Sequence, residues 1–421
     1  MKVKYKQLIV LFVSIIIIFE CYGFKLLPIP IGFYSYGSLP FIFFVLLLSV
    51  NDGLFTKKKF RFIAIYYLIT FIFLIYEMFY TNFLYRELSI GSYFGYAKYF
   101  LYIYIVFGVL AVFLKDNNIQ KSMDVYCLIG TVALGTVLLH SVLYNVFGIQ
   151  LLKYIDLYMV EKLRAGRVRY FDITGIESLI IIYSFYKLLY FKDGGKIKYS
   201  LYFLISILTM SYVQQSRALI LMIGLCCVMM FVAKQNKTNT AKLFKWVLVF
   251  TILGIFISVF LDPLLQTFSS SSVEYGISTR TRIIELQYVS EVLKDKGLLG
   301  IGLLPGFFRS TIINRGIYIN VAISDIGILG QLITIGFWIV PLYIYPIYRM
   351  AKITINYNGE DKVLLIGLLV FLIISSATII VFDPQRFLAW PFCLAIFEFF
   401  SVETREKTLL SKRNTQIVRG K

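Results

Sequence analysis

The residues in this chain best suited to chemistry are arginines and carboxylates set beside apolar stretches. Placed on a helix at 100° per residue, Thr281 to Lys296 gathers Leu286, Val289, Val292 and Leu293 on one face, with Tyr288 at its edge. Gln287, Glu291, Lys294 and Asp295 take the opposite face, while Arg282 and Glu285 fall on the apolar one, within a turn of each other. Two charges there are costly unless they pair or face a polar cavity. They read either as an internal ion pair or as a pair aimed into a substrate cleft. A guanidinium fork suits phosphate or carboxylate, and a carboxylate can take a proton from a hydroxyl.

Other candidates follow the same logic. Gln214-Gln215-Ser216-Arg217 separates two apolar runs, and Arg217 either snorkels from a plain turn or holds an anion. Ser324-Asp325-Ile326-Gly327-Ile328-Leu329-Gly330 opens a run, so Ser324 or Asp325 either caps a helix or Asp325 serves as a base. A basic segment, Arg164 to Tyr170, carries Arg167 and Arg169 just before another run. Gly300-Ile301-Gly302 permits close backbone approach and positive φ, with no strand before it to make a dinucleotide fingerprint. Asp383-Pro384-Gln385-Arg386 reads as a tight structural turn, and His140, beside Tyr144 and Asn145, as a residue bonded to its neighbours. With one histidine, and with Cys21, Cys127, Cys226, Cys227 and Cys393 all in apolar runs, no metal site and no cofactor are expected.

The elements that must position these residues are membrane spans. Of 421 residues, 59% are hydrophobic and 15% charged, with a mean hydropathy of +0.79, well outside soluble composition. A spanning helix needs about 20 apolar residues. Twelve runs qualify, roughly 8–27, 34–50, 62–84, 96–114, 123–148, 173–191, 199–213, 218–233, 246–265, 321–348, 363–382 and 387–402. The expected fold is an all-α polytopic membrane protein, one integral domain over 1–421. It carries a basic external loop at 149–172, a long external loop with an amphipathic helix at 262–320, and a basic cytoplasmic tail at 403–421.

The net charge of +19 is assigned to helix orientation rather than to nucleic acid. Every second loop is lysine-rich, so simple alternation puts both termini in the cytoplasm. That side holds 25 basic residues (20 Lys, 5 Arg) and the other 15 (5 Lys, 10 Arg), with Lys98 and Lys187 inside spans. Orientation needs only charge, so an arginine-rich outer face points to anion binding there.

Taken in order, these pieces resemble the bacterial O-antigen polymerase and ligase superfamily, including Wzy-type polymerases of capsules and exopolysaccharides. The resemblance rests on Arg164 to Tyr170, Gln215-Ser216-Arg217-Ala218, Arg282 followed by Gly300-Ile301-Gly302, and Ser324 to Gly330 running into Ile335-Gly336-Phe337. It covers the second half in motifs and the whole chain in topology. Leu286 stands where many relatives have an aromatic, and Ser324-Asp325 where ligases place a histidine, which favours polymerase over ligase.

The resemblance implies a membrane-embedded, GT-C-like glycosyltransferase in the bacterial plasma membrane with its active face outside. Its substrate would be an oligosaccharide repeat unit on undecaprenyl pyrophosphate, transferred to the non-reducing sugar of another lipid-linked unit. Arg282, Arg217 and Arg167 or Arg169 would hold the pyrophosphate, and Asp325 or Glu285 would deprotonate the acceptor hydroxyl. Membrane lipid, a chain-length regulator and a flippase are the partners that follow. The rival readings are a lipid-linked oligosaccharide flippase or other transporter, a ligase-type transferase, a peptidoglycan-type polymerase, and a non-catalytic assembly or sensor subunit.

Overall fold

The computed structural model describes residues 5–21, 23–26, 36–51, 60–85, 90–152, 163–164, 167–168, 175–190, 195–234, 276–303, 323–378, 381–383 and 386–419. These are helical almost throughout. Long apolar stretches satisfy their own backbone groups as helices, which is the open-ended way to do so where water is absent.

The helices fall on the apolar runs, with one correction: the run expected to cross as a single span at 321–348 is bent by 110° into two helical pieces. They are α1 (Tyr5–Glu20), α2 (Leu39–Asn51), α3 (Arg61–Leu84), α4 (Ile90–Leu101), α5 (Val106–Asp116), α6 (Ile119–Phe147), α7 (Ile176–Tyr190), α8 (Lys196–Leu208) and α9 (Arg217–Ala233). After them come α10 (Gly276–Lys296), α11 (Gly327–Ile335), α12 (Tyr345–Asn356), α13 (Lys362–Ser375) and α14 (Ala389–Arg419). The tail expected at 403–421 is therefore a continuation of α14 as far as Arg419. The run at 246–265 lies outside the described residues. The exception to all-helical structure is a two-residue antiparallel pair, β1 (Leu163–Arg164) with β2 (Arg167–Val168), inside the basic loop.

Local chemistry sets several boundaries. Asn118 caps α6 by accepting from Gln120 N–H at 2.7 Å, and the left-handed Asn117 (φ 48°) ends α5 just before it. α4 passes into α5 through a 3₁₀ turn, Tyr102–Ile105, and a π turn, Thr209–Gln214, extends α8. Between α11 and α12 the chain bends by 110°. Gly336 (φ +58°) and Pro341, which has no N–H to donate, account for the break.

Among the described residues, three helical stretches are long and apolar enough to cross a membrane: Arg61–Leu84, Ala97–Asp116 and Ile119–Phe147; the bent pair would make a fourth. Of the other described helices that match expected spans, α1, α2, α7, α8, α9 and α13 are shorter, at 13 to 17 residues, while α14 runs for 31 residues with a charged second half. Large apolar side chains such as Leu68, Phe71, Phe79, Phe83 and Val132 face outward from α3 and α6, the surface a helical membrane protein offers to lipid.

The helices are pinned to one another at one end. Lys6 pairs with Asp116, and Tyr186 bonds Asp361. Lys198 meets Asp124 at 2.9 Å, and Arg349 meets Glu398 at 2.7 Å. Deeper in, the fully buried Trp390 donates to Tyr66 Oη at 3.0 Å, which in turn donates to Leu342 O at 2.7 Å. That relay ties α14 to α3 and to the bend.

Candidate functional site

α7 and α8 each carry a pinned residue near one end and a buried polar residue at or just beyond the other, and the chain between α13 and α14 adds two more. At that second end Glu177, Gln214, Asp383 and Arg386 are all buried. Glu177 opens α7, and its Oε1 accepts from Gln214 Nε2 at 3.3 Å, at the close of the π turn. Arg386 Nη1 donates to Ser375 O at 3.2 Å, and the Arg386 N–H bonds Asp383 O at 2.9 Å. Gly175 lies against the Arg386 backbone. Burial draws the Arg386 guanidinium down to about 10, with Glu177 and Asp383 acting in the opposite sense, so it keeps its charge at neutral pH. The turn at 383–386 is thus structural, as expected, yet it drives a cation into the interior beside Glu177. Glu177 was not among the sequence candidates. A carboxylate at the head of an apolar run, directly after a basic segment, is the signal that could have found it.

The expected site elements surround this cluster. Gln215, in a left-handed conformation (φ 52°), turns the chain from Gln214 into α9, whose first residue is Arg217. Ser216 makes no side-chain cap there, so the first N–H groups of α9 receive nothing from it and its positive dipole end stands beside the arginine. Next to Ser375, Ser376 O accepts from Ile328 N–H at 2.7 Å. That bond brings in the 3₁₀ turn Ile323–Ile326, which holds Asp325. The N-cap of α11 is Ile326, so neither Ser324 nor Asp325 takes the capping position considered for it.

α10 packs on the same segment. Val289 and Val292 bury against Ile301, Ile323, Ile326 and Ile333, with Tyr85 and Tyr288 at the margin. Glu285 lies on this inward face and is 1% exposed, as the helical projection requires. Leu286 differs from expectation, being 48% exposed: the buried face is centred on Glu285, Val289 and Val292, one residue away. The description covers only the backbone at Arg167, Arg217, Arg282 and Asp325, and Arg169 lies outside the described residues. The structure therefore packs the α10 face that carries Glu285 on the turn that holds Asp325, and sets Arg217 three residues after Gln214 of the buried cluster. β2, with Arg167, lies against α6.

No family model matches the chain, and no curated protein matches it.

The glycine element docks as a plug under α10. Ile301 N–H bonds Ile333 O at 2.8 Å, and Gly302 N–H bonds Thr334 O at 3.0 Å. From α3, Tyr80 Oη donates to Gly300 O at 2.9 Å, and Thr81 Oγ1 accepts from Leu303 N–H at 3.0 Å. A Cβ on Gly300 (φ +81°) would stand 2.7 Å from Thr334 O. Gly300→Ala is therefore expected to cost about 1–3 kcal/mol in backbone strain and displaced backbone. Limited proteolysis at the glycine turn should show faster cleavage in the variant; an unchanged rate would mean that the plug is not held by this fit.

One turn below Thr81 lies Glu77, fully buried in α3 and also missed by the sequence reading. Its carboxylate is within reach of the Leu303 backbone N–H that closes the glycine element. His140, by contrast, is absorbed structurally: its Nδ1 accepts from Leu151 and Leu152 N–H, both at 3.0 Å, and closes the turn after α6.

Beside α3 runs an apolar groove of about 690 Å3 between α2, α3 and α4, lined by Phe43, Leu46, Leu68, Phe71, Met78 and Phe94 among others. Its tyrosine hydroxyls are engaged elsewhere. Tyr93 Oη donates to Leu74 O at 2.6 Å, and Tyr67 Oη accepts from Phe107 N–H at 2.9 Å. Tyr104 Oη donates to Tyr67 O at 3.4 Å. A groove without free donors suits hydrocarbon.

Proposed function

We propose that this chain is a membrane-embedded glycosyltransferase of twelve spans and GT-C-like organisation that polymerises oligosaccharide repeat units carried on undecaprenyl pyrophosphate. The reading is of a Wzy-type polymerase at the bacterial plasma membrane, with both termini cytoplasmic and the cluster end external. The single observation that carries it is the arrangement at one end of the bundle: Gln214, bonded to Glu177, leads into α9 with Arg217, Arg386 bonds Ser375 next to the Ser376–Ile328 bond that holds the Asp325 turn, and the Glu285 face of α10 packs on that turn. The resemblance in motif order and the arginine-rich outer face support it.

In the reaction, the bond between the anomeric carbon of the growing chain and its pyrophosphate oxygen breaks, and the acceptor hydroxyl oxygen bonds that carbon. The hydroxyl proton passes to Asp325 or Glu285. Undecaprenyl pyrophosphate leaves with the electron pair, and its developing charge meets Arg217, Arg282 and Arg167 or Arg169 together with the first N–H groups of α9. The apolar groove offers a place for a polyprenyl tail. A chain-length regulator and a flippase would act beside it.

Purified protein given synthetic undecaprenyl-pyrophosphate repeat units from its host, without nucleotide sugar, should produce a ladder spaced by one repeat. Two observations favour a second reading, a lipid-linked oligosaccharide flippase: the 110° bend between α11 and α12 and the buried Glu77 inside α3 are features of transporters. No ladder, with the same lipid moved across proteoliposome membranes, would establish that reading and remove the polymerase.

A further inference from the structure

At the pinned end of the bundle, far from the candidate site and independent of its chemistry, a second cavity opens between α12 and α14. It encloses about 490 Å3 and is lined, among the described residues, by Arg349, Lys352, Ile353, Asn356, Ser401, Thr404 and Arg405, three cations and no carboxylate. Arg349 is fixed at its back. Its guanidinium stands 4.2 Å from the centroid of the Phe62 ring, and one nitrogen bonds Glu398 Oε2 at 2.7 Å. Its Nε is buried and has no hydrogen-bond partner among the described residues. Lys352 and Arg405 are exposed at the mouth. One buried carboxylate behind three cations leaves a surplus of positive charge in a concave site, and that surplus calls for an anion.

The surface beside the cavity narrows the kind of anion. On α12, Tyr345, Tyr348 and Ile355 form a stripe next to Lys352, and they are 51%, 63% and 71% exposed. Large apolar side chains turned outward beside a basic pocket match a molecule with an anionic head and a hydrocarbon body. The lysine-rich loops at this end are those that the charge pattern sets on the cytoplasmic side, where membranes carry anionic lipid.

We propose that the α12–α14 cavity binds the phosphate headgroup of an anionic phospholipid, with its acyl chains along Tyr345, Tyr348 and Ile355. Arg349 and Lys352 meet the phosphate oxygens from α12, Arg405 meets them from α14, and Asn356 reaches the glycerol. The bound lipid would join two helices otherwise linked at this end by the Arg349–Glu398 pair.

The test uses the full-length protein in detergent, titrated with phosphatidylglycerol or phosphatidylcholine while lipid adducts are counted by native mass spectrometry. Lys352→Gln combined with Arg405→Gln removes two exposed cations and leaves the Arg349–Glu398 pair intact, so folding is not at stake. Binding of phosphatidylglycerol should weaken about thirty-fold, the loss expected for two cations near a charged surface. Binding of phosphatidylcholine should be weaker from the outset and unchanged by the variant. Equal binding of the two lipids, or an unchanged affinity in the double variant, would overturn the proposal. Displacement of phosphatidylglycerol by millimolar inorganic phosphate would overturn it too, by showing a site for free anion rather than for lipid.

Discussion

Arg386→Ala is expected to destabilise the protein by about 3–5 kcal/mol, the range found when one member of a buried charge cluster is removed. Arg386 is 3% exposed, and Glu177 and Asp383, the carboxylates it faces, are 0% and 4% exposed. Without the guanidinium, two buried carboxylates lose their cation, and Ser375 O loses one donor while keeping the Thr378 N–H at 3.1 Å. Glu177→Gln alone should cost less, because an amide can still accept from Gln214. In the Arg386→Ala background it should recover part of the loss, a coupling of about 0.5–3 kcal/mol between sites that touch. Thermal unfolding of the four proteins in one detergent measures the cycle. Additive losses would mean that Glu177 and Arg386 act separately and that the cluster does not hold this end of the bundle together.

Arg217→Ala and Arg282→Ala should each lower chain extension by about 10²–10³-fold, the loss seen when one preorganised donor to a developing negative charge is removed. Melting temperature and membrane insertion should stay near those of the parent. Arg217 is the first residue of α9, at a helix start that Ser216 leaves without a side-chain cap. Arg→Lys should also impair extension, since an ammonium cannot reproduce a planar fork. Initial rates of ladder formation on the synthetic lipid-linked substrate measure this. Full rates in both alanine variants would remove these arginines from the site and leave the backbone donors of α9 as the remaining anion holder.

What could be read from residue order was what residue order controls locally. Apolar runs and their charged punctuation placed α3, α6, α7 and α9 to within a few residues, because helix formation depends on hydrogen bonds four residues apart, whereas the run at 321–348 breaks into α11 and α12, α13 stops at Ser375 and α14 runs on to Arg419. The helix read at 281–296, which the structure starts at Gly276, the inward face of Glu285 and the positive φ of Gly300 and Gly302 were legible for the same reason. The tertiary structure alone decided which isolated polar groups meet. Glu177 and Arg386 stand 209 positions apart, and Gly300 rests on Thr334 only because the chain breaks at Gly336. Nothing in the sequence near Glu77 announced that the glycine plug would close over α3 at Thr81, one turn away. A single charge in an apolar helix has its meaning set by what another helix brings to it. In an interior without water that choice is made by packing, over distances local sequence does not encode.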